Sequence, residues 1–472
     1  MNVSEVLAST RGSIVAPAGC GKTQLIISTL NTPQSKPILV LTHTTAGVAA
    51  LKRRLRSFNV PSQNYVVTTI DGWSLRVASN FSYSCPIASS PDNGKYFYPE
   101  MRRVVHRYIV SGALNQTIKA TYSRLLVDEY QDCNNDQHQL ILLLANQLPT
   151  VVFGDPMQCI FDFGGSMPGW ESDVLQEFPL LGTLTTPWRW NNSGSPQLGQ
   201  WVLHAREVLM KGGKIDLQSC PNHVTWHPLS GDYQTDRTNY YQVQSTLLDL
   251  YPKDSLLVIG SSIDEQSRHD YAQGNARVEV VEQVQLAGVT KAAQDFDTKS
   301  GKLLAEILIE HASKMITGVD VTHTSKRINS ILNGSNTVPP TPSEQALYNV
   351  AIDGTRTNIL CALLRLEEKL GARVYRKAAF KALKDSISIA VSCPDISMFE
   401  AASIIRERLR QEGDRRVPRR AIGATLLLKG LEADHCLILN AQNRGMNAKH
   451  IYVALSRGAK SVTIFSNNQY IG

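Results

Sequence analysis

Several features that would have sent this chain of 472 residues elsewhere are missing from it. No apolar run reaches the roughly 20 residues of a membrane span. The first residues do not lead from a basic segment through an apolar stretch to a small-residue cleavage site, so no signal peptide is expected. Eight cysteines, at 20, 85, 133, 159, 220, 361, 393 and 436, form no CxxC pair. That spacing argues against a zinc site and a disulfide framework, and for a reducing cytoplasm. There is no internal repeat and no low-complexity tail. The charge is not extreme: +7 is compatible with a polyanionic partner without requiring one. What is present is an ordinary globular composition, 42% hydrophobic, in a chain long enough for roughly two to four domains.

The most informative stretch is Ala16-Pro17-Ala18-Gly19-Cys20-Gly21-Lys22-Thr23. The apolar Ser13-Ile14-Val15 precedes it and the helix-capable Gln24-Leu25-Ile26-Ile27-Ser28 follows. Strand, small-residue loop and helix are the context of a phosphate-binding loop. Small residues let backbone N–H groups converge on an anion, and the helix adds unpaired N–H groups and its positive dipole end. Lys22 supplies a charge for β/γ-phosphates and the Thr23 hydroxyl a ligand for Mg²⁺. Ala16 replaces the first Gly of the usual GxxxxGK[ST] pattern.

Further strands are expected at 37–42, 65–70, 124–127 and 150–153, with a helix at 45–55 between the first two. The opening is thus β-α-β-α-β, a doubly wound α/β pattern. Acidic residues follow two of these strands, at Asp128-Glu129 and Asp155, where the carboxyl ends of parallel strands place ligand sites. A carboxylate there can hold Mg²⁺ and its neighbour can orient an attacking water. Later strands are expected at 255–260 and 435–439, separated by a mainly helical stretch at about 265–415. Arg406, Arg408, Arg410, Arg415, Arg416, Arg419 and Arg420 form a basic cluster, read either as a solvated helix end or as a contact to phosphate backbone.

Asp128-Glu129-Tyr130-Gln131-Asp132 closely resembles motif II of superfamily 1 DNA helicases of the UvrD/Rep/PcrA type. Other stretches fall into that family's order: Ala16–Thr23 (motif I), Leu41–Ala46 (Ia), Thr69–Trp73, Val152–Phe161 (III), Pro187–Trp190 (IV), Ile259–Arg268, Lys429–Glu432 (V) and Tyr452–Gly458 (VI). The resemblance implies two RecA-like doubly wound P-loop NTPase domains with reduced, mainly helical insertions. The expected boundaries are 1–78, 121–182, 183–264 and 416–472 for the core, with insertions at 79–120 and 265–415.

The resemblance also implies roles. Ala18, Gly19, Cys20, Gly21, Lys22, Thr23 and Gln24 would hold the phosphates of ATP, Trp188 would stack on adenine, and Gly430 and Glu432 would meet the ribose side. Thr23 and Asp128 would bind Mg²⁺. Glu129 would be the general base and Gln158 would sense the γ-phosphate. Arg189 and Arg457 would act as arginine fingers from the second domain. Thr42, His43, Thr44, Trp73 and Phe163 would touch DNA. Trp188 and Trp190 are open to a second reading as core aromatics.

The departures from the family pattern are specific. None of the 21 residues before Lys22 is the Gln that reads adenine. Phe161-Asp162-Phe163-Gly164-Gly165 stands where family members carry Trp-Arg-Gly, and His43 replaces an aromatic. Ala424-Thr425-Leu426-Leu427-Leu428 replaces a polar run that couples DNA to the ATP site. The expected activity is a DNA-stimulated, Mg²⁺-dependent ATPase translocating 3′ to 5′ on single-stranded or partly duplex DNA. The compact form is similar to helicase subunits of anti-phage systems such as Gabija, which implies a nuclease partner and the alternative of an ATP-gated DNA sensor with little unwinding. A metabolic P-loop kinase is the third reading.

Overall fold

The computed structural model describes residues 1–90, 94–160, 167–282, 286–412 and 418–472, with the side chains of 410–412 left aside. The chain divides into two compact units. One comprises Met1–Pro228 with Met446–Gly472, the other Leu229–Glu412 with 418–445. Among the described residues no helix is long and apolar enough to cross a membrane.

The first unit is built on six strands: β1 (Arg11–Val15), β2 (Ile38–Thr42), β3 (Tyr65–Thr69), β4 (Arg124–Val127), β5 (Thr150–Gly154) and β6 (Leu180–Thr183). They form one sheet in the order β3-β2-β4-β5-β1-β6, with every pairing parallel. Every residue of β2, β4 and β5 is buried, as expected of strands covered by helices on both faces. Ile14, Ile26, Leu30, Val40, Leu126 and Phe153 share one apolar cluster, while Leu39, Leu125, Leu140 and Val152 belong to another. The two clusters take alternate residues of the same strands, because successive side chains point to opposite faces.

Helix α1 (Val3–Ala8) begins with a capping box from Asn2. Helix α2 (Lys22–Asn31) follows the loop after β1, and α3 (Thr45–Ser57) connects β2 to β3. The expected small helical stretch appears as Gly94–Val110 and Asn115–Thr121.

The second unit has four neighbouring strands of its own, in the order Glu279–Val280, Arg420–Gly423, Leu256–Ile259, Ala433–Ile438, all parallel. Strands Val224–Pro228 and Gly458–Ser466, also parallel neighbours, lie in the first unit. The expected strands near 255–260 and 435–439 are therefore present. The stretch from 287 to 412 is mainly helical, and its helices pack around Leu308, Leu347, Leu363, Phe380 and Leu383.

Candidate active site at the carboxyl edge of the first sheet

The loop between β1 and α2 turns on two glycines with positive φ, 72° at Gly19 and 90° at Gly21. A side chain at either would also collide with a neighbour. A Cβ on Gly19 would lie 2.8 Å from the Trp190 ring, and one on Gly21 2.9 Å from Trp188. The small residues thus serve the backbone path and the close approach of two indoles. Lys22 opens α2, so the loop runs straight into a helix N-terminus with unpaired N–H groups. Thr23 is half-buried and Gln24 exposed. Cys20 is buried, and burial, followed by Asp155, pushes its thiol up to about 12, so it is not a nucleophile.

Strand β4 delivers the acidic pair. Lys22 Nζ lies 2.9 Å from Asp128 Oδ1 and also contacts a Glu129 carboxylate oxygen. Glu129 adopts φ 54°, ψ 44°, a left-handed conformation unusual for a residue with a side chain and costing on the order of 1 kcal/mol. Burial works against the Lys22 charge, but Asp128 and Glu129 outweigh it and hold its pKa above the ordinary lysine value. Burial raises the Asp128 pKa. Lys22 opposes that shift, while the neighbouring Glu129 charge adds to it. The two shifts agree physically, because two carboxylates share one ammonium.

Gln131, within the same motif, joins this pair to the next strand. Its amide donates to Glu129 Oε2 at 2.6 Å and its carbonyl accepts the Asp155 N–H at 3.1 Å. Asp155, 1% exposed at the end of β5, is a hub. It accepts from Arg206 Nε and Nη2 at 3.0 and 2.7 Å, from the Tyr452 hydroxyl at 2.9 Å, and from Gln158 Nε2 at 3.1 Å. The Tyr452 hydroxyl in turn accepts the Ala18 N–H of the loop between β1 and α2 at 2.9 Å. Gln158 is therefore turned onto Asp155.

Arg189 and Arg457 both reach Ser456. Arg189 Nη1 donates to the Ser456 carbonyl at 2.5 Å, and Arg457 Nη2 to its hydroxyl at 2.6 Å. The Arg189 N–H also donates to the Gly19 carbonyl at 3.1 Å, fixing this arginine at the loop. Arg457 is buried, its Nε donating to the Val453 carbonyl at 2.8 Å. Both arginines belong to the same compact unit as the loop. Trp188, 53% exposed, leaves an indole open beside Gly21. Trp190 is fully buried and donates to the Gly458 carbonyl at 2.8 Å, which makes it a core aromatic.

Gly430, with φ 79°, and Glu432 are exposed residues of the second unit. Thr42 is buried, His43 half-buried, and Thr44 exposed as the N-cap of α3. Trp73, expected to touch DNA, is 3% exposed and packed with Leu39, Ile70, Val77 and Met101. Phe163 lies outside the described residues. Sequence reasoning missed Gln131, Arg206 and Tyr452 as site residues. Gln131 and Tyr452 stand inside recognised motifs, but Arg206, on helix Pro196–Met210, gives no local signal.

Residues 101–179 match the family model described as the UvrD/REP helicase N-terminal domain. Over 87 residues the chain is 38% identical to the "ATP-dependent DNA helicase Rep" of Salmonella typhimurium, covering 18% of this chain and 12% of that protein. It is 35% identical over 85 residues to the Rep of Buchnera aphidicola, 17% of this chain and 13% of that one. The Escherichia coli K12 Rep is 33% identical over 87 residues, again 18% and 12%. The matched region thus spans about an eighth of each relative. Among solved structures, the arterivirus nonstructural protein 10 helicase in complex with DNA aligns over 58% of this chain and 53% of its own, at 12% identity and a TM-score of 0.28. The family match falls on the segment that carries Asp128, Glu129, Gln131 and Asp155, and over that segment the chain is similar to the UvrD/REP helicase N-terminal domain.

Proposed function

We propose that the protein is a DNA-stimulated, Mg²⁺-dependent ATPase that translocates 3′ to 5′ on single-stranded or partly duplex DNA, built on the RecA-like core boundaries given above. The observation that carries this reading is the Lys22 ammonium held by Asp128 and Glu129 at the mouth of the phosphate loop. In that arrangement the base is idle, because its charge is spent on Lys22. A triphosphate in the loop would compete for the ammonium, draw it to the β/γ-oxygens, and free Glu129 to take a proton from an attacking water. Gln131, hydrogen-bonded to Glu129, keeps the carboxylate aimed during that exchange. Arg189, tied to the loop through Gly19, would spread its planar donors over the charge developing on the transferred phosphoryl group. Trp188 offers the exposed ring on which a base can stack.

A divalent cation fits the same place. Thr23 and Asp128 offer hydroxyl and carboxylate oxygens, the donors Mg²⁺ takes, and the acidic pair already holds a cation. When bound, the ion would neutralise charge on the phosphate oxygens.

The test is hydrolysis with and without single-stranded DNA. We expect stimulation by DNA, loss of hydrolysis in Lys22→Ala, and nucleotide binding without turnover in Glu129→Gln. Hydrolysis indifferent to DNA would instead favour a metabolic kinase. A second reading, an ATP-gated DNA sensor working with a nuclease, is favoured by one feature. Ala424, Thr425 and Leu428 are buried, so the segment expected to couple DNA to ATP is given over to core packing. DNA-stimulated hydrolysis without strand displacement would select that reading.

A further inference from the structure

The second unit contains a cavity of about 370 Å³ that has no part in the site above. It lies at the amino ends of three parallel strands, Leu256–Ile259, Glu279–Val280 and Arg420–Gly423, where Pro252, Arg277 and Arg419 precede them. Ligand sites of open parallel sheets ordinarily sit at the other, carboxyl end.

The lining is strongly cationic. Arg277, Arg373, Lys377, Arg419 and Arg420 meet one lining carboxylate, Glu279, which pairs with Lys377 at 2.6 Å. Arg277 has an exposed partner, Asp249, at 2.6 Å. Two other guanidiniums, of Arg373 and Arg420, are placed by neutral groups. Arg373 Nη2 donates to the Ala272 and Gln273 carbonyls at 2.9 and 2.8 Å, and Arg420 Nη2 to the Pro252 carbonyl at 2.6 Å. Carbonyls orient a guanidinium without cancelling its charge. Arg420 Nε is buried with no hydrogen-bond partner among the described residues, although a buried donor without an acceptor costs about 1–3 kcal/mol. Burial, then repulsion from Arg277 and Arg419, holds the Arg420 pKa below its ordinary value. Burial does the same to Arg373. The pocket thus concentrates positive charge and leaves a donor unspent.

We propose that this pocket binds phosphate groups of a nucleic-acid strand, recognised by charge. Fixed guanidinium forks match the oxygens of a phosphodiester, and several can act at once. Among the described residues no aromatic lines the pocket to stack a base, so contact here would be indifferent to sequence. The same chemistry would accept a free polyphosphate, which the experiment separates from a strand.

The experiment uses the full chain, with labelled oligothymidylate followed by fluorescence anisotropy and inorganic tripolyphosphate followed by calorimetry. Arg419→Glu and Lys377→Glu alter side chains that reach solvent. Each is expected to weaken strand binding about tenfold and to lower the salt dependence of log K by about 0.7 per lost phosphate contact. Glu279→Gln removes the lining carboxylate and should tighten binding several-fold. That gain is one a merely structural role would not produce, and it keeps the proposal testable if a charge reversal melts early. All three effects should persist in a Lys22→Ala background, which separates this site from the phosphate loop. Unchanged affinity and salt slope in every variant would overturn the proposal. Tripolyphosphate binding that is lost in the charge reversals while strand binding is not would overturn the strand as occupant.

Discussion

Two neighbouring strands of the first sheet, β4 and β5, both end in carboxylates, and the structure treats them in opposite ways. Asp128 and Glu129 share one flexible lysine, and Glu129 also accepts from the Gln131 amide. Asp155 is surrounded by Arg206, Tyr452 and Gln158, with its own N–H bound to Gln131. The first arrangement can be exchanged: a lysine ammonium is a point charge on a flexible stem and can move to a phosphate. The second cannot, because a buried carboxylate with fixed partners has no lower-energy alternative. An acidic residue at a strand end is therefore chemical or architectural according to what surrounds it.

The sharpest way to break the comparison is Glu129→Gln. It should lower turnover by about 10²–10⁴ while leaving nucleotide affinity and melting temperature near those of the parent, as a rapid-quench assay beside a thermal melt would report. Arg206→Ala should do the reverse. It leaves Asp155 buried without its cation and should cost about 3–5 kcal/mol, visible in urea denaturation. If Arg206→Ala proved harmless to stability, the hub reading of Asp155 would fail. Tyr452→Phe should cost less, about 1–2 kcal/mol, since it removes one hydroxyl. It also releases the Ala18 N–H, so its nucleotide affinity should change along with stability, and isothermal titration would detect both.

The smallest effect concerns pH. Lys22 has its pKa raised in the folded state. The stability contributed by its ion pairs is therefore complete below the unfolded value of about 10.4 and is lost as pH rises through the raised folded value. Comparing parent and Lys22→Met in alkaline denaturation should show the parent losing stability more steeply above about pH 10.

Much of this site was legible in the sequence. Lys22 and Thr23 follow a small-residue loop between apolar runs, and Asp128-Glu129 follows an apolar run, so backbone periodicity alone placed both at strand ends. The hub was not legible. Arg206 sits on the helix Pro196–Met210, 51 residues from Asp155, and Tyr452 is 297 residues away. Nothing local distinguishes an arginine that will be buried from one that will face water. The burial of Trp73 was not legible for the same reason: an aromatic on helix Ile70–Asn80 can turn inward or outward, and neighbours such as Leu39 and Met101 decide it. The basic cluster was visible as composition, but the meeting of its Arg419 and Arg420 with Arg277 depends on parallel strands bringing their amino ends together.

The sequence by itself determined the small-residue loop, the acidic pair, the α/β alternation and the resemblance to UvrD/Rep helicases, because each is carried by residues adjacent in the chain. Only the tertiary structure decided which carboxylate is exchangeable, which tryptophan is exposed and where cations accumulate. Those properties are set by burial and by partners distant in sequence, and a charge or a ring takes its energy from the surroundings that folding assembles.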